Sequence, residues 1–346
     1  MNSAKNAPKV LKETKNKIHV DFDRTSKWTK FKIKYLSMRF LTQAIFKLFR
    51  VIILLGMCYI ILNPFFSKIA TSFMSPEDFM DVTVKYIPKH ANVDTYKQLI
   101  AENEYWRCMF NTGTLSLACA LIQTFVCSLV GYGFAKYKFR GSGILFAMVM
   151  VTLMVPPQTI EFSLFLMFKD FNPYGLLELI GVAEKSRRLL DTIWPFIILS
   201  LTGLGLKNGL YIFMMRQFYR GVPDELEESA YIDGSGPMKT FFKIILPISI
   251  PMMITIFLFS FSWQWTDNFY TQLFYTSNTS SKVLAYFAEV PKTMLKMIED
   301  SGVDRVLYEQ SIMHTCGLLI IAPLIVIYLF CQRYLIQGIE RSGITG

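Results

Sequence analysis

The sequence predicts an all-α membrane protein with six transmembrane helices and both termini in the cytoplasm. Three observations carry that prediction: long stretches without Asp, Glu, Lys or Arg, a low overall charge content, and a positive excess confined to one end. Of 346 residues, 52% are hydrophobic and 18% charged, against about a quarter charged in soluble domains. This composition excludes a disordered, collagenous or coiled-coil chain.

A bilayer core about 30 Å thick needs roughly 20 apolar residues of helix. Five charge-free stretches meet that need: Val51 to Ser67, Cys108 to Ala135, Gly141 to Ile160, Ile244 to Thr266 and Gln310 to Gln332. A sixth, Thr192 to Met215, is apolar except for Lys207. Soluble helices need a polar face, which these mostly lack. Residues 1 to 50 hold 13 basic and 3 acidic residues, an excess equal to the whole chain's net charge of +10. The positive-inside rule then places the N-terminus in the cytoplasm, and six crossings return the C-terminus there. Residues 1–43 read as a basic cytoplasmic arm attracted to anionic lipid. A nucleic-acid arm is the weaker reading of the same residues, so no nucleic-acid partner is expected. Residues 44–346 read as the membrane domain. Residues 1 to 23 show no apolar core or small-residue cleavage site of a cleaved leader.

The longest loop on the cytoplasmic side, within residues 217–243, carries the most specific pattern. Pro223 suits the first turn of a helix, and Asp224, Glu225, Glu227 and Glu228 suit the positive end of its dipole. A short helix is expected from Pro223, stopped in a sharp turn at Gly234-Ser235-Gly236-Pro237. A second helix is expected from about Met238, entering the membrane. Glu228-Ser229-Ala230, three residues, Gly234, nine residues, then Ile244-x-Leu246-Pro247 resembles the cytoplasmic EAA loop of ABC importer permeases. The pattern there is E-A-A-x3-G-x9-I-x-L-P, and Ser229 is the one departure. The similarity extends over most of residues 105 to 346, with 105–336 as the permease core. Tyr132 to Gly141, MVPPQTI at 154 to 160, FMMRQF at 213 to 218, WQWTDNF at 263 to 269 and QRYLIQG at 332 to 338 look like the carbohydrate branch, the maltose-permease type.

The resemblance implies a type I ABC importer (MetI-like) permease fold in a bacterial cytoplasmic membrane. It implies that Glu228, Ser229, Ala230 and Gly234, with Ile244, Leu246 and Pro247 behind them, form a coupling loop that docks on a cytoplasmic ATPase. The implied partners are a second permease subunit, an ATPase dimer, an extracellular solute-binding protein and a sugar substrate. A permease for a non-sugar solute is the alternative within the class, and a secondary transporter outside it.

The chain is not expected to be an enzyme or to bind a cofactor. It has no GxxxxGK[ST] phosphate loop, so ATP-Mg belongs on the partner ATPase. Its six cysteines form no CxxC pair, and His19, His90 and His314 lack ligand spacing, so no metal site is expected. Charges at membrane depth usually face a cavity or a partner, which makes Lys207 and Glu161 pathway candidates; for Lys207, pairing with a neighbouring subunit or snorkelling is equally open. An interfacial aromatic belt is favoured for Trp263 and Trp265, leaving Asp267 and Asn268 as further pathway candidates. Pro156-Pro157 marks a hinge or a passive kink.

Overall fold

A computed structural model describes residue 28 and residues 38–81, 83–172, 187–276, 282–301 and 305–343. Most of the basic N-terminal arm and the last three residues lie outside these. The chain divides into two compact units, Met1–Phe66 and Ser67–Gly346.

The described residues are helical, with no strand and two isolated bridges, Met74 to Ala91 and Phe171 to Arg187. Helix α1 (Met38–Ser72) leads to α2 (Pro76–Met80) and α3 (Asp94–Glu102). Then come α4 (Tyr105–Lys136), α5 (Ser142–Met154), a 3-10 turn (Pro157–Ile160) and α6 (Glu161–Lys169). Next along the chain are α7 (Trp194–Leu201), α8 (Asn208–Arg220), α9 (Glu225–Ile232), α10 (Pro237–Thr240), a π-helical turn (Phe241–Ile245) and α11 (Leu246–Trp265). Helices α12 (Phe269–Phe274), α13 (Leu284–Phe287), α14 (Lys292–Ser301) and α15 (Arg305–Gly343) complete the chain.

Among the described residues, four helical segments are long and apolar enough to cross a membrane: 42–72, 105–136, 237–265 and 305–334. The two remaining apolar regions are interrupted. α5 and α6 bend by 101° where Pro156 and Pro157 remove two backbone donors. The region read as Thr192 to Met215 divides into α7 and α8, because Gly203 and Lys207 take left-handed backbone angles, φ 74° and 61°. A non-glycine residue there is sterically costly; α7 ends at Leu201, and Lys207 sits at the N-cap of α8 rather than inside a continuous helix.

Helix α4 is the hub, packing against α7, α8, α11 and α13. Its close approach to α8 requires glycine: a Cβ on Gly131 would lie 2.6 Å from Met215 Cβ. Several polar side chains along α4 are spent on its neighbours, though the Ser116 and Thr124 hydroxyls find no partner among the described residues. Asn111 Nδ2 donates to Lys282 O at 2.8 Å, and Thr112 Oγ1 accepts from Leu284 N at 2.9 Å. Gln123 donates to Ser200 Oγ at 3.2 Å and accepts from Ser260 Oγ at 2.6 Å. Ser128 and Tyr219 hydroxyls bond at 2.6 Å, and Tyr219 donates to Ser249 Oγ at 3.0 Å.

Pro323 lies inside α15, so the carbonyl of Leu319 has no N–H four residues on. Tyr105 OH donates to that carbonyl at 3.0 Å, and Trp265 Nε1 donates to the adjacent Ile320 O at 2.9 Å. Trp265 is therefore no belt residue: it is buried, packed near Phe261 and Ile312. Trp263 remains exposed. Tyr105→Phe is expected to lower stability in detergent by about 1 kcal/mol by orphaning the Leu319 carbonyl. In a Pro323→Ala background, where the helix supplies its own donor, the same change should cost less; thermal midpoints of the four proteins measure the difference.

Candidate functional site

The predicted elbow is present, with its first helix starting at Glu225 rather than Pro223. The chain ahead of it is held elsewhere: Lys136 Nζ, at the C-terminal end of α4, donates to Val222 O at 2.6 Å and to Asp224 Oδ1 at 2.5 Å. Glu227 N and Glu228 N both donate to Asp224 O at 3.0 Å, making Asp224 the first helical acceptor. The far end closes in a Schellman motif, with Ser235 N donating to Ala230 O at 2.9 Å and Gly234 N to Tyr231 O at 3.0 Å. The motif needs a left-handed residue at Gly234, where φ is 77°. Pro237 then opens α10, and the π-helical turn carries the chain into α11.

Ala230 and Glu227 form the inner face of α9, both buried. Glu228 and Ser229 face outward and are exposed. At the base of the elbow Ile244 and Leu246 are half-buried and Pro247 exposed, while Phe241 is fully buried with its ring 4.8 Å from that of Tyr132. The loop residues singled out from the sequence thus fall into an exposed set and a packed set within one element pair.

The electrostatic centre of the elbow escaped sequence reasoning. Lys136 Nζ, 6% exposed as a side chain, lies 3.8 Å from Glu227 Oε1 as well as beside Asp224. Tyr132 OH donates to Glu227 Oε2 at 3.3 Å. A cation at the last turn of α4 also complements that helix's dipole. Burial pushes the Glu227 carboxyl above its ordinary value, against the opposing pull of Lys136. Asp224 is exposed and is drawn below its ordinary value by its hydrogen bond to Lys136. The signal available in sequence was the abrupt end of a 28-residue charge-free stretch at Lys136.

The pathway candidates lie apart from the elbow. Lys207 Nζ sits 5.0 Å over the ring of Trp263. Lys207 lines a cavity of about 530 Å³ with Pro156, Pro157, Asn208 and Tyr270. Glu161, the first residue of α6, lines a neighbouring cavity of about 600 Å³ with Gln158, Phe162, Gln272 and Tyr286. Asp267 lines neither; its carboxylate caps α12, accepting from Tyr270 N at 3.3 Å, Thr271 N at 2.9 Å and Thr271 Oγ1 at 3.0 Å. Asn268 is exposed beside it and absent from both linings.

Space around Gly234 is open, so only its backbone angle resists substitution. Gly234→Val is expected to destabilise the elbow by about 1–2 kcal/mol and Gly234→Asn by less, read as amide-exchange protection of residues 225–240. A carboxyl with a raised folded-state pKa contributes its stability below the unfolded value near 4.3 and loses it as pH rises through the folded value. Elbow protection, corrected for intrinsic exchange rates, should therefore fall as pH rises above about 4.3 in the wild type and stay flat in Glu227→Gln. Asp224, with its lowered pKa, has the opposite sign and acts only as pH falls below about 3.9.

Residues 127–341 match the family described as the binding-protein-dependent transport system inner membrane component. The α-glucoside transport system permease protein of Rhizobium meliloti (strain 1021) is 28% identical over 75% of this chain and 62% of its own length. The polygalacturonan/rhamnogalacturonan transport system permease protein of Bacillus subtilis (strain 168) is 25% identical over 85% of this chain and 96% of its own. Among solved structures, a bacterial ABC transporter involved in import of the acidic polysaccharide alginate superposes with a TM-score of 0.65 at 17% identity, covering 85% of this chain and 97% of that one. That likeness gives the fold, and the family match, spanning more than half the chain, gives the class. The chain belongs to the binding-protein-dependent transport system inner membrane components, the multi-pass permease subunits of ABC importers, whose ATPase is a separate subunit.

Proposed function

We propose that this chain forms one half of the translocation pathway of a bacterial ABC importer that carries an oligosaccharide. The relatives named as permeases for α-glucosides and for polygalacturonan or rhamnogalacturonan support a carbohydrate substrate. In this reading the chain crosses the membrane six times, counting the bent α5–α6 pair and the broken α7–α8 pair as one crossing each, with both termini cytoplasmic. A second permease subunit completes the pathway, an external solute-binding protein delivers the sugar, and an ATPase dimer binds ATP-Mg.

One observation carries the coupling part of this reading. The elbow of α9 and α10 presents Ile232, 86% exposed, and Met238, 59% exposed, beside the exposed Glu225, Glu228 and Asp233. Apolar side chains displayed on an acidic surface element, on a base anchored in the membrane, suit a groove in a soluble partner. Closure of the ATPase dimer would push on α9; Lys136 would carry that push into α4, and the π-helical turn into α11. The pathway would then alternate between inward and outward openings by differential binding to two states.

Ile232→Asp tests this reading with little risk to the fold, because the side chain touches mainly solvent. Affinity purification of the tagged chain from its native membrane is expected to bring down a second permease and an ATPase. The variant should retain the permease and lose most of the ATPase. An ATPase that stays with the variant would move the docking point away from the elbow tip.

A further inference from the structure

We infer that the cavity at the break between α7 and α8 binds the carboxylate of an acidic saccharide unit, with Lys207 as its counter-charge. This rests on the carbohydrate reading above and narrows it to uronate-bearing chains. The thirteen residues of α8 rise about 20 Å from the elbow end, so Lys207 lies well inside a 30 Å hydrocarbon core. A cation at that depth is expensive unless something answers its charge. Among the described residues nothing acidic does: Lys207 forms no ion pair, and its ammonium rests over the Trp263 ring.

A second group at the same wall points to a ligand independently. Asn208 is 1% exposed, lines the cavity, and finds no hydrogen-bond partner among the described residues for either its amide nitrogen or its amide oxygen. Buried amides are almost always paired, so this one is poised for a group that enters the site. Its nitrogen can donate to a carboxylate and its oxygen can accept from a hydroxyl, the pair of functions that a uronate ring displays side by side. The N-terminal end of α8 adds its positive dipole at the same place. Most of the remaining lining, including Leu153, Pro157 and Leu164, is apolar and suits the C–H faces of a pyranose, while the Thr152 hydroxyl is spent on Val149 O. Glu161, which would repel an anion, lines the neighbouring cavity and not this one. A neutral sugar would leave the Lys207 charge unanswered; a uronate neutralises it.

The test uses the assembled importer membrane complex purified into phosphatidylcholine nanodiscs, without its binding protein, titrated calorimetrically with trigalacturonate and with the fully methyl-esterified trimer. The ester keeps the shape and removes the charge. Wild type is expected to bind the acid at least about tenfold more tightly than the ester, the scale of one charge-assisted bond. Lys207→Gln should bring the ratio to about one without changing ester affinity, and Lys207→Arg should keep the preference. Equal binding of acid and ester by wild type, or a preference that survives Lys207→Gln, overturns the carboxylate site and leaves the sugar reading standing. Binding of neither trimer likewise overturns the carboxylate site.

Discussion

Hydrocarbon offers no partner to a polar group, so a hydrogen-bonding atom within the bilayer has to be answered by the protein or by what the protein binds. Helix α4 is built around that constraint. Its Thr112, Gln123 and Ser128 each reach a different neighbour, and at its end Lys136 grips the chain before α9. These bonds specify which helices meet and at what height, which dispersion between apolar surfaces leaves undetermined. The same constraint explains why Pro323 is tolerated in α15. The carbonyl it frees is answered by Tyr105, and the bond fastens α4 to α15 where an unbroken helix would have offered no acceptor.

At the elbow the constraint passes into mechanics. One face of α9 is fixed by Ala230 and by the Lys136–Asp224–Glu227 cluster, and its end is fixed by the left-handed Gly234. The other face is free. An element held this way transmits displacement instead of absorbing it, because any motion of α9 must move the end of α4 or separate the buried Lys136 and Glu227 side chains. The raised pKa of Glu227 reflects the burial this arrangement imposes.

Much of this was legible in the sequence, for identifiable reasons. Four of the charge-free stretches became long helices because length and composition alone decide such spans, and the Pro156-Pro157 break appeared where two donors are missing. The elbow was readable from its caps and its glycine. What the sequence concealed depended on partners distant along the chain. Trp265 looks like any interfacial tryptophan until Ile320 O is placed 2.9 Å away. Asp267 looks available for substrate until α12 folds beneath it and takes both oxygens. Glu227 is one acid among four until α4 buries it. The division of the fourth apolar region into α7 and α8 rests on backbone angles at Gly203 and Lys207, which hydrophobicity does not encode.

The π-helical turn at Phe241–Ile245 gives the elbow a heading as well as an anchor. A π turn accommodates one residue more than an α turn over the same rise, and one residue corresponds to about 100° of rotation about the helix axis. Phe241 and Ile245 are both fully buried while Phe242 between them is exposed, so this junction has one azimuth at which its apolar side chains are satisfied. Deleting a single residue there would leave the loop nearly the same length yet swing α9 to a different compass bearing around α11. The spacing from Gly234 to Pro247 is therefore an angular setting that aims the exposed tip of the elbow.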